Sequence, residues 1–273
     1  MLKRIVSAAV ALPIVLVLLW LGGYYTMGLI MAVAVMANLE YGRLCRRKGV
    51  EHLDAVAVLF SLLYIADAGF TGSEYALPIT ALLIAVAVSI PVLRGNPIGS
   101  IPSSAAAVFA PLYFGWTLSH AILLRTAYEG INGFMLVLAV LAIVWLHDTA
   151  ALLVGKASGG RTKLAPLVSP KKSLEGSIGG MLMLIALIFF AYPIVSDAGM
   201  LPEITFAQKA FLVILAALCC NYGDLGESAL KRDIGVKDSG KFLPGHGGFM
   251  DRIDSLLLFV PAAYWLFKFF LGW

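Results

Sequence analysis

Nine stretches of nearly unbroken apolar character alternate with polar segments along the chain, at about 5–22, 24–41, 53–67, 76–93, 104–122, 132–147, 177–195, 207–223 and 255–271. An α-helix of about 20 residues crosses a hydrocarbon core about 30 Å thick, and it satisfies its own backbone donors and acceptors in doing so. The pattern predicts an all-α fold, a polytopic transmembrane helical bundle of about nine spans. The third and sixth stretches are short, which suits burial within the bundle or a locally thinner membrane. The first follows Met1-Leu2-Lys3-Arg4 and resembles a signal peptide. No small-residue cleavage site follows in Trp20-Leu21-Gly22-Gly23-Tyr24-Tyr25, so an uncleaved first helix is expected. Without an internal repeat or low-complexity linker, residues 1–273 are expected to form a single integral membrane domain. Its spans up to about residue 130 carry no motif, and residues from about 131 to 273 carry the polar loops.

Charge orders this pattern. With the N-terminus placed in the cytoplasm, seventeen of the twenty Lys and Arg residues fall on inside segments, and only Arg125, Lys209 and Lys268 fall elsewhere. Cytoplasmic segments are the ones that collect Lys and Arg, and a wrong number of spans would scramble the bias. Nine spans put the C-terminus on the opposite side. They also put the two long polar stretches, about 148–176 and 224–254, on one cytoplasmic face.

Composition excludes other classes. Apolar residues make up 60% of the chain and charged residues 13%, and mean hydropathy is +0.91; a soluble domain carries roughly a quarter charged residues. A net charge of +4 is too small to point to nucleic acid. Anionic headgroups and phosphate-bearing substrates are the partners that membrane-flanking basic residues suit. Cys45, Cys219 and Cys220 form neither a disulfide framework nor a zinc pattern, and the adjacent pair inside an apolar run reads as small hydrophobes.

The first polar stretch opens on His147-Asp148 and continues through Gly155-Lys156, Gly159-Gly160-Arg161, Lys163 and Ser169-Pro170-Lys171-Lys172-Ser173. A carboxylate at the membrane edge, Asp148, is costly unless paired or functional. Glycines let backbone approach a phosphate, and lysines supply charge to its oxygens. A basic loop that only sets topology is the alternative. The second stretch continues the eighth span as Asn221-Tyr222-Gly223-Asp224-Leu225-Gly226-Glu227-Ser228-Ala229-Leu230-Lys231-Arg232. If helical, Asp224, Glu227, Ser228 and Lys231 share one face. Such an acidic-then-basic stripe can hold a cation beside a phosphate, or can be a solvated face of ordinary ion pairs.

Next come Lys237-Asp238-Ser239-Gly240-Lys241 and Leu243-Pro244-Gly245-His246-Gly247-Gly248-Phe249-Met250-Asp251-Arg252-Ile253-Asp254. Asp251 and Asp254 lie one turn apart where the ninth span begins, an end that presents free backbone N–H groups to anions. Carboxylates suit a hard cation such as Mg²⁺. A soft metal is not expected, because the cysteines stand apart from these loops and the histidines are scattered. His52 and His120 read as structural or surface residues, whereas His246, between glycines, suits contact with a phosphate or orientation of a carboxylate.

Ser228-x-Leu230-Lys231-Arg232, Lys237-Asp238 and Leu243-Pro244-x-His246-Gly247-Gly248-Phe249-x-Asp251-Arg252-Ile253-Asp254 together resemble the signature of the phosphatidate cytidylyltransferases (CDP-diacylglycerol synthases). The segments Asp148…Gly155-Lys156 and Ser169-Pro170-x-Lys172-Ser173-x-Glu175-Gly176 also resemble that family. One departure is Leu152, where the family often has an aromatic residue four positions after the first aspartate. The resemblance implies an Mg²⁺-dependent nucleotidyltransferase of phospholipid synthesis that makes CDP-diacylglycerol and pyrophosphate from CTP and phosphatidic acid. It also implies a homodimer in the lipid bilayer of a bacterial cytoplasmic membrane, with the active site facing the cytoplasm and a second cation such as K⁺ left open.

On this reading Asp224 and Asp251 are the central metal ligands, with Asp148 and Asp254 as outer or alternative ones. Lys171, Lys172, Lys231, Arg232, Lys237 and Lys241 hold phosphate oxygens, Ser228 and His246 contact phosphate, and Gly247 and Gly248 allow close approach beside Arg252. A transporter would instead concentrate polar groups near mid-span. A related lipid phosphotransferase acting on an isoprenoid or ether lipid is the nearer alternative.

Overall fold

The computed structural model describes residues 2–240 and 247–272, with side chains described from Ala9 onward. Among the described residues, nine long helices cover the nine apolar stretches: α1 Leu2–Leu21, α2 Gly23–Arg47, α3 Asp54–Thr71, α4 Ala76–Leu93, α5 Ser100–Thr126, α6 Gly130–Ala157, α7 Leu174–Asp197, α8 Phe206–Asp233 and α9 Met250–Leu271. Eight of them, α2 to α9, are long and apolar enough to cross a membrane, and the described apolar part of α1 is Ala9–Leu21. Leu93, Ile101 and Phe269 are each more than four-fifths exposed. Apolar faces so bare suit lipid as solvent, and the chain is built as an integral membrane protein.

The helix ends correct the expected lengths. The sixth stretch is not short, because α6 runs on past His147-Asp148 to Ala157. Polar side chains on a helix face do not stop a helix; this one stops at Ser158-Gly159, where Gly159 takes φ 75°, the left-handed conformation that ends helices. The polar stretch after it is not all loop. Strands β1 Lys163–Ala165 and β2 Ser169–Ser173 form a small antiparallel hairpin, Lys163 opposite Ser173 and Ala165 opposite Ser169. Helix α8 likewise carries the Asp224 stripe as helix to Asp233. Helices α5 and α7 each include a π-helical turn, Pro111–Trp116 and Leu187–Ala191.

The chain divides into two compact units. One comprises residues 1–123 and 234–252, the other residues 124–233 and 253–273. In the first unit, α2 meets α3 through buried Asn38, whose amide donates to the Ser61 hydroxyl at 2.9 Å. Tyr41 packs against Phe109 and Phe114. In the second unit, α6 and α7 pack closely because α7 begins with small residues. A Cβ at Gly179 would strike Val154, one at Gly180 the ring of His147, and one at Gly176 the carbonyl of Ala151.

Candidate active site

In the second unit, residues far apart in sequence converge. Ser173 caps α7, its hydroxyl accepting the Gly176 N–H at 3.2 Å, and Glu175 accepts the Thr162 N–H at 3.0 Å. The hairpin is thereby tied to the helix it precedes. That anchoring aims Lys172, one residue earlier, at α8: its ammonium lies 2.8 Å from Asp224 Oδ2 and donates to the Asn221 carbonyl at 3.3 Å. Gly223 sets the approach of α8 to α9. A Cβ there would lie 2.7 Å from both the Asp254 carbonyl oxygen and Ser255 Cα, and the Ser255 hydroxyl donates to the Cys220 carbonyl at 3.2 Å.

The result is an acidic cluster around one lysine. Asp254 feels the negative charges of Asp224 and Asp148 and the positive charge of Lys172. Asp148 is half exposed and accepts from or shares a proton with His147 Nδ1 at 3.0 Å. The Ser228 hydroxyl donates to Asp224 Oδ1 at 3.3 Å. Asp148, Asp224 and Asp254 bring carboxylate oxygens to this region beside one ammonium, and carboxylate oxygens are the ligand type that Mg²⁺ takes. Cys220 is not apart from this chemistry, as the sequence suggested. It, His147 and Asp148 offer ligand atoms within 4.8 Å of one another, and Cys220 stands one helical turn before Asp224 on α8.

Other predicted residues take different places. Lys231 is buried and ion-paired with buried Glu227, so its charge is directed inward to that carboxylate. Arg232 and Lys171 are exposed. Lys241 and His246 lie outside the described residues.

The first unit holds Lys237, Gly247, Gly248, Asp251 and Arg252. Lys237 and Arg252 are exposed. Asp251, in the first turn of α9, reaches back over the helix start: its Oδ2 accepts the Gly248 N–H at 2.8 Å and the Ser239 N–H at 3.1 Å. The room that Gly247 and Gly248 provide is taken up inside the protein. A Cβ on Gly247 would lie 2.7 Å from Asp251 Oδ2, and one on Gly248 would meet Ser239 and Glu40. Gly247 also takes φ 83°, which glycine adopts without strain.

Sequence reasoning missed Glu40, Ser173 as a helix cap, Gly223 as a contact point and the burial of the Glu227–Lys231 pair. Glu40 was findable, since a carboxylate inside an apolar span carries the same signal as Asp148.

Known proteins match along the whole chain. The model of the cytidylyltransferase family matches residues 2–270. A phosphatidate cytidylyltransferase of Thermotoga maritima is 34% identical over 97% of this chain and 95% of its own length. One from Bacillus subtilis is 30% identical over 98% of each chain, and one from Synechocystis sp. is 29% identical over 96% and 95%. A full-length match of this kind, over a chain whose carboxylates converge as described, leads to one conclusion: the chain belongs to the cytidylyltransferase family.

Proposed function

We infer that this protein is a nucleotidyltransferase that moves CMP from CTP to phosphatidic acid, yielding CDP-diacylglycerol and pyrophosphate. The observation that carries the reading is the full-length match to a cytidylyltransferase family, in a chain where Lys172 pairs with Asp224 and the charges of Asp224 and Asp148 act on Asp254. In the reaction, a phosphate oxygen of phosphatidate forms a bond to the α-phosphorus of CTP, and the bond from that phosphorus to the bridging oxygen of pyrophosphate breaks. Two polyanions must meet, so most of the catalysis is positioning and charge compensation.

Asp148, Asp224 and Asp254 would hold Mg²⁺, with K⁺ as a candidate second cation. When bound, the metal offsets the negative charge of the phosphates and of the departing pyrophosphate. Asp251, whose Oδ2 accepts two backbone N–H groups, is the further candidate ligand of this reading. Lys172 is held between the Asn221 carbonyl and Asp224, and it can turn its remaining donor capacity to a phosphate oxygen. Lys171, Arg232, Lys237 and Arg252 are exposed cations suited to triphosphate or lipid phosphate. Lys231 would have to leave Glu227 to join them. Lys241 and His246 are the further phosphate contacts of this reading.

The same reading takes nine spans with the N-terminus inside, which the Lys and Arg distribution supports. It places the site at the cytoplasmic face of a bacterial inner membrane and the protein in a homodimer, both supported by the family resemblance.

The deciding assay offers the purified protein phosphatidate with CTP, dCTP or ATP, with and without Mg²⁺. The expected result is CDP-diacylglycerol and pyrophosphate from CTP only when Mg²⁺ is present. No product from folded protein under that condition overturns the reading.

A further inference from the structure

One carboxylate on a span without motifs is bound into the segment that precedes α9. Glu40 lies on α2 and is fully buried. Burying a carboxylate is costly unless hydrogen bonds compensate it, and its partners come from about two hundred positions away in sequence. Its Oε2 accepts the Ser239 hydroxyl at 2.9 Å and the Met250 backbone N–H at 3.1 Å. Met250 opens α9, and its N–H is one of the donors that a helix start leaves without an intrahelical partner. Glu40 therefore caps a helix to which it does not belong.

The backbone is shaped around this side chain. A Cβ on Gly240 or on Gly248 would run into the Glu40 carboxylate, so glycine at both positions is what lets the chain close over it. Ser239 links Glu40 to Asp251. Its hydroxyl lies 2.9 Å from Glu40 Oε2 and 3.1 Å from Asp251 Oδ2, and its N–H donates to that same Asp251 oxygen. With one hydroxyl proton between two carboxylates, Ser239 couples the placement of one to the placement of the other.

We propose that Glu40 is a positioning residue for the transfer reaction, holding Ser239-Gly240 and Gly248-Met250 together so that Asp251 keeps its orientation. This rests on the reading of the 237–254 segment as part of the active site. Glu40 touches no substrate in this role and acts through Ser239 and Met250.

The test combines kinetics with hydrogen–deuterium exchange on the purified full chain. Glu40→Ala should lower turnover roughly 10–100-fold, the usual scale for removing a group that orients a functional carboxylate. It should also raise exchange at residues 238–240 and 248–252 while exchange in α6 to α8 stays at the wild-type level. Glu40→Gln keeps an oxygen that accepts both hydrogen bonds and should restore most of the turnover and the protection. Ser239→Ala breaks the same link from the other side, and the double variant should be no slower than Glu40→Ala alone.

Wild-type exchange at 238–240 and 248–252 in Glu40→Ala overturns the proposal. So does a Gln variant as impaired as Ala, or a double variant whose losses simply add. Should Glu40→Ala not fold, Glu40→Gln and Ser239→Ala decide by the same exchange readout. If wild-type protein makes no CDP-diacylglycerol, the functional reading fails while the exchange data still judge the role of Glu40.

Discussion

Aspartates in the two units face opposite electrostatic situations. Asp224 and Asp148 both set negative charge against Asp254, and the one ammonium beside them, Lys172, is paired with Asp224. Asp251 is instead wrapped by donors, two backbone N–H groups and the Ser239 hydroxyl meeting one of its oxygens. The first group has an unmet demand for positive charge; Asp251 has much of its demand met by the chain itself. One residue type thus serves two purposes, and the neighbours decide which. A cluster of like charges is tolerated where a cation or polyphosphate–metal complex is to bind, and a solvated carboxylate becomes a structural pin where backbone donors surround it.

The widest gap should appear between Asp224→Asn and Asp251→Asn. Removing the Asp224 charge takes a carboxylate from the cluster and leaves Lys172 without its ion pair. Turnover should fall about 10²–10³-fold or more, the scale seen when a key electrostatic group is lost, in protein that still inserts and folds. Asn at 251 keeps an oxygen that can accept the same N–H groups, so its loss should be clearly smaller. Equal losses in the radiolabelled-CTP assay would erase the distinction and make Asp251 a metal ligand of the same rank.

Lys172→Ala should come next, chiefly as a rise in KM for CTP or phosphatidate of about tenfold. A collapse in kcat with unchanged KM would move Lys172 from binding to the chemical step. Gly223→Ala tests the packing that creates the cluster. Its methyl meets backbone at 2.7 Å, where no side-chain rotation relieves the clash, so α8 and α9 must part. A cost of about 1–3 kcal/mol follows, read as a lower Tm together with lower activity; activity lost without a Tm change would argue against it.

The smallest effect lies away from both groups of aspartates and serves as a control. Burial holds the His52 imidazole below its usual pKa, although its contact with Asp54 opposes that shift. Folding keeps His52 neutral, while the unfolded chain takes up a proton below about pH 6.5. Stability is therefore unaffected above that pH and declines as pH falls below it. His52→Gln should flatten the acid side of the stability profile while leaving KM for CTP unchanged.

Legibility followed chemistry of two kinds. The apolar runs are local and long, so the long helices of the described residues were readable, and so was the face that joins Asp224 to Ser228 once α8 proved helical. Lengths were harder. Asp148 and Lys156 look like loop residues, yet nothing in them ends α6, and only Gly159 does. Lys231 shows the limit of reading charge from a string. Its spacing from Asp224 suggested a phosphate ligand, but its i, i+4 partner Glu227 is buried with it and claims it.

By itself, the sequence determined the membrane character of the chain, its helical spans and the residue types gathered in its two polar stretches, because hydrophobic length and charge are local properties. It also carried the family signature. Only the tertiary structure decided which carboxylates stand together. Lys172 reaches Asp224 because Ser173 caps α7 and Gly223 lets α8 and α9 touch. Glu40 reaches Ser239 and Met250 because two glycines leave room for its carboxylate. These are contacts across tens to hundreds of residues, set by steric fit between backbones, and no periodicity along a single chain encodes them.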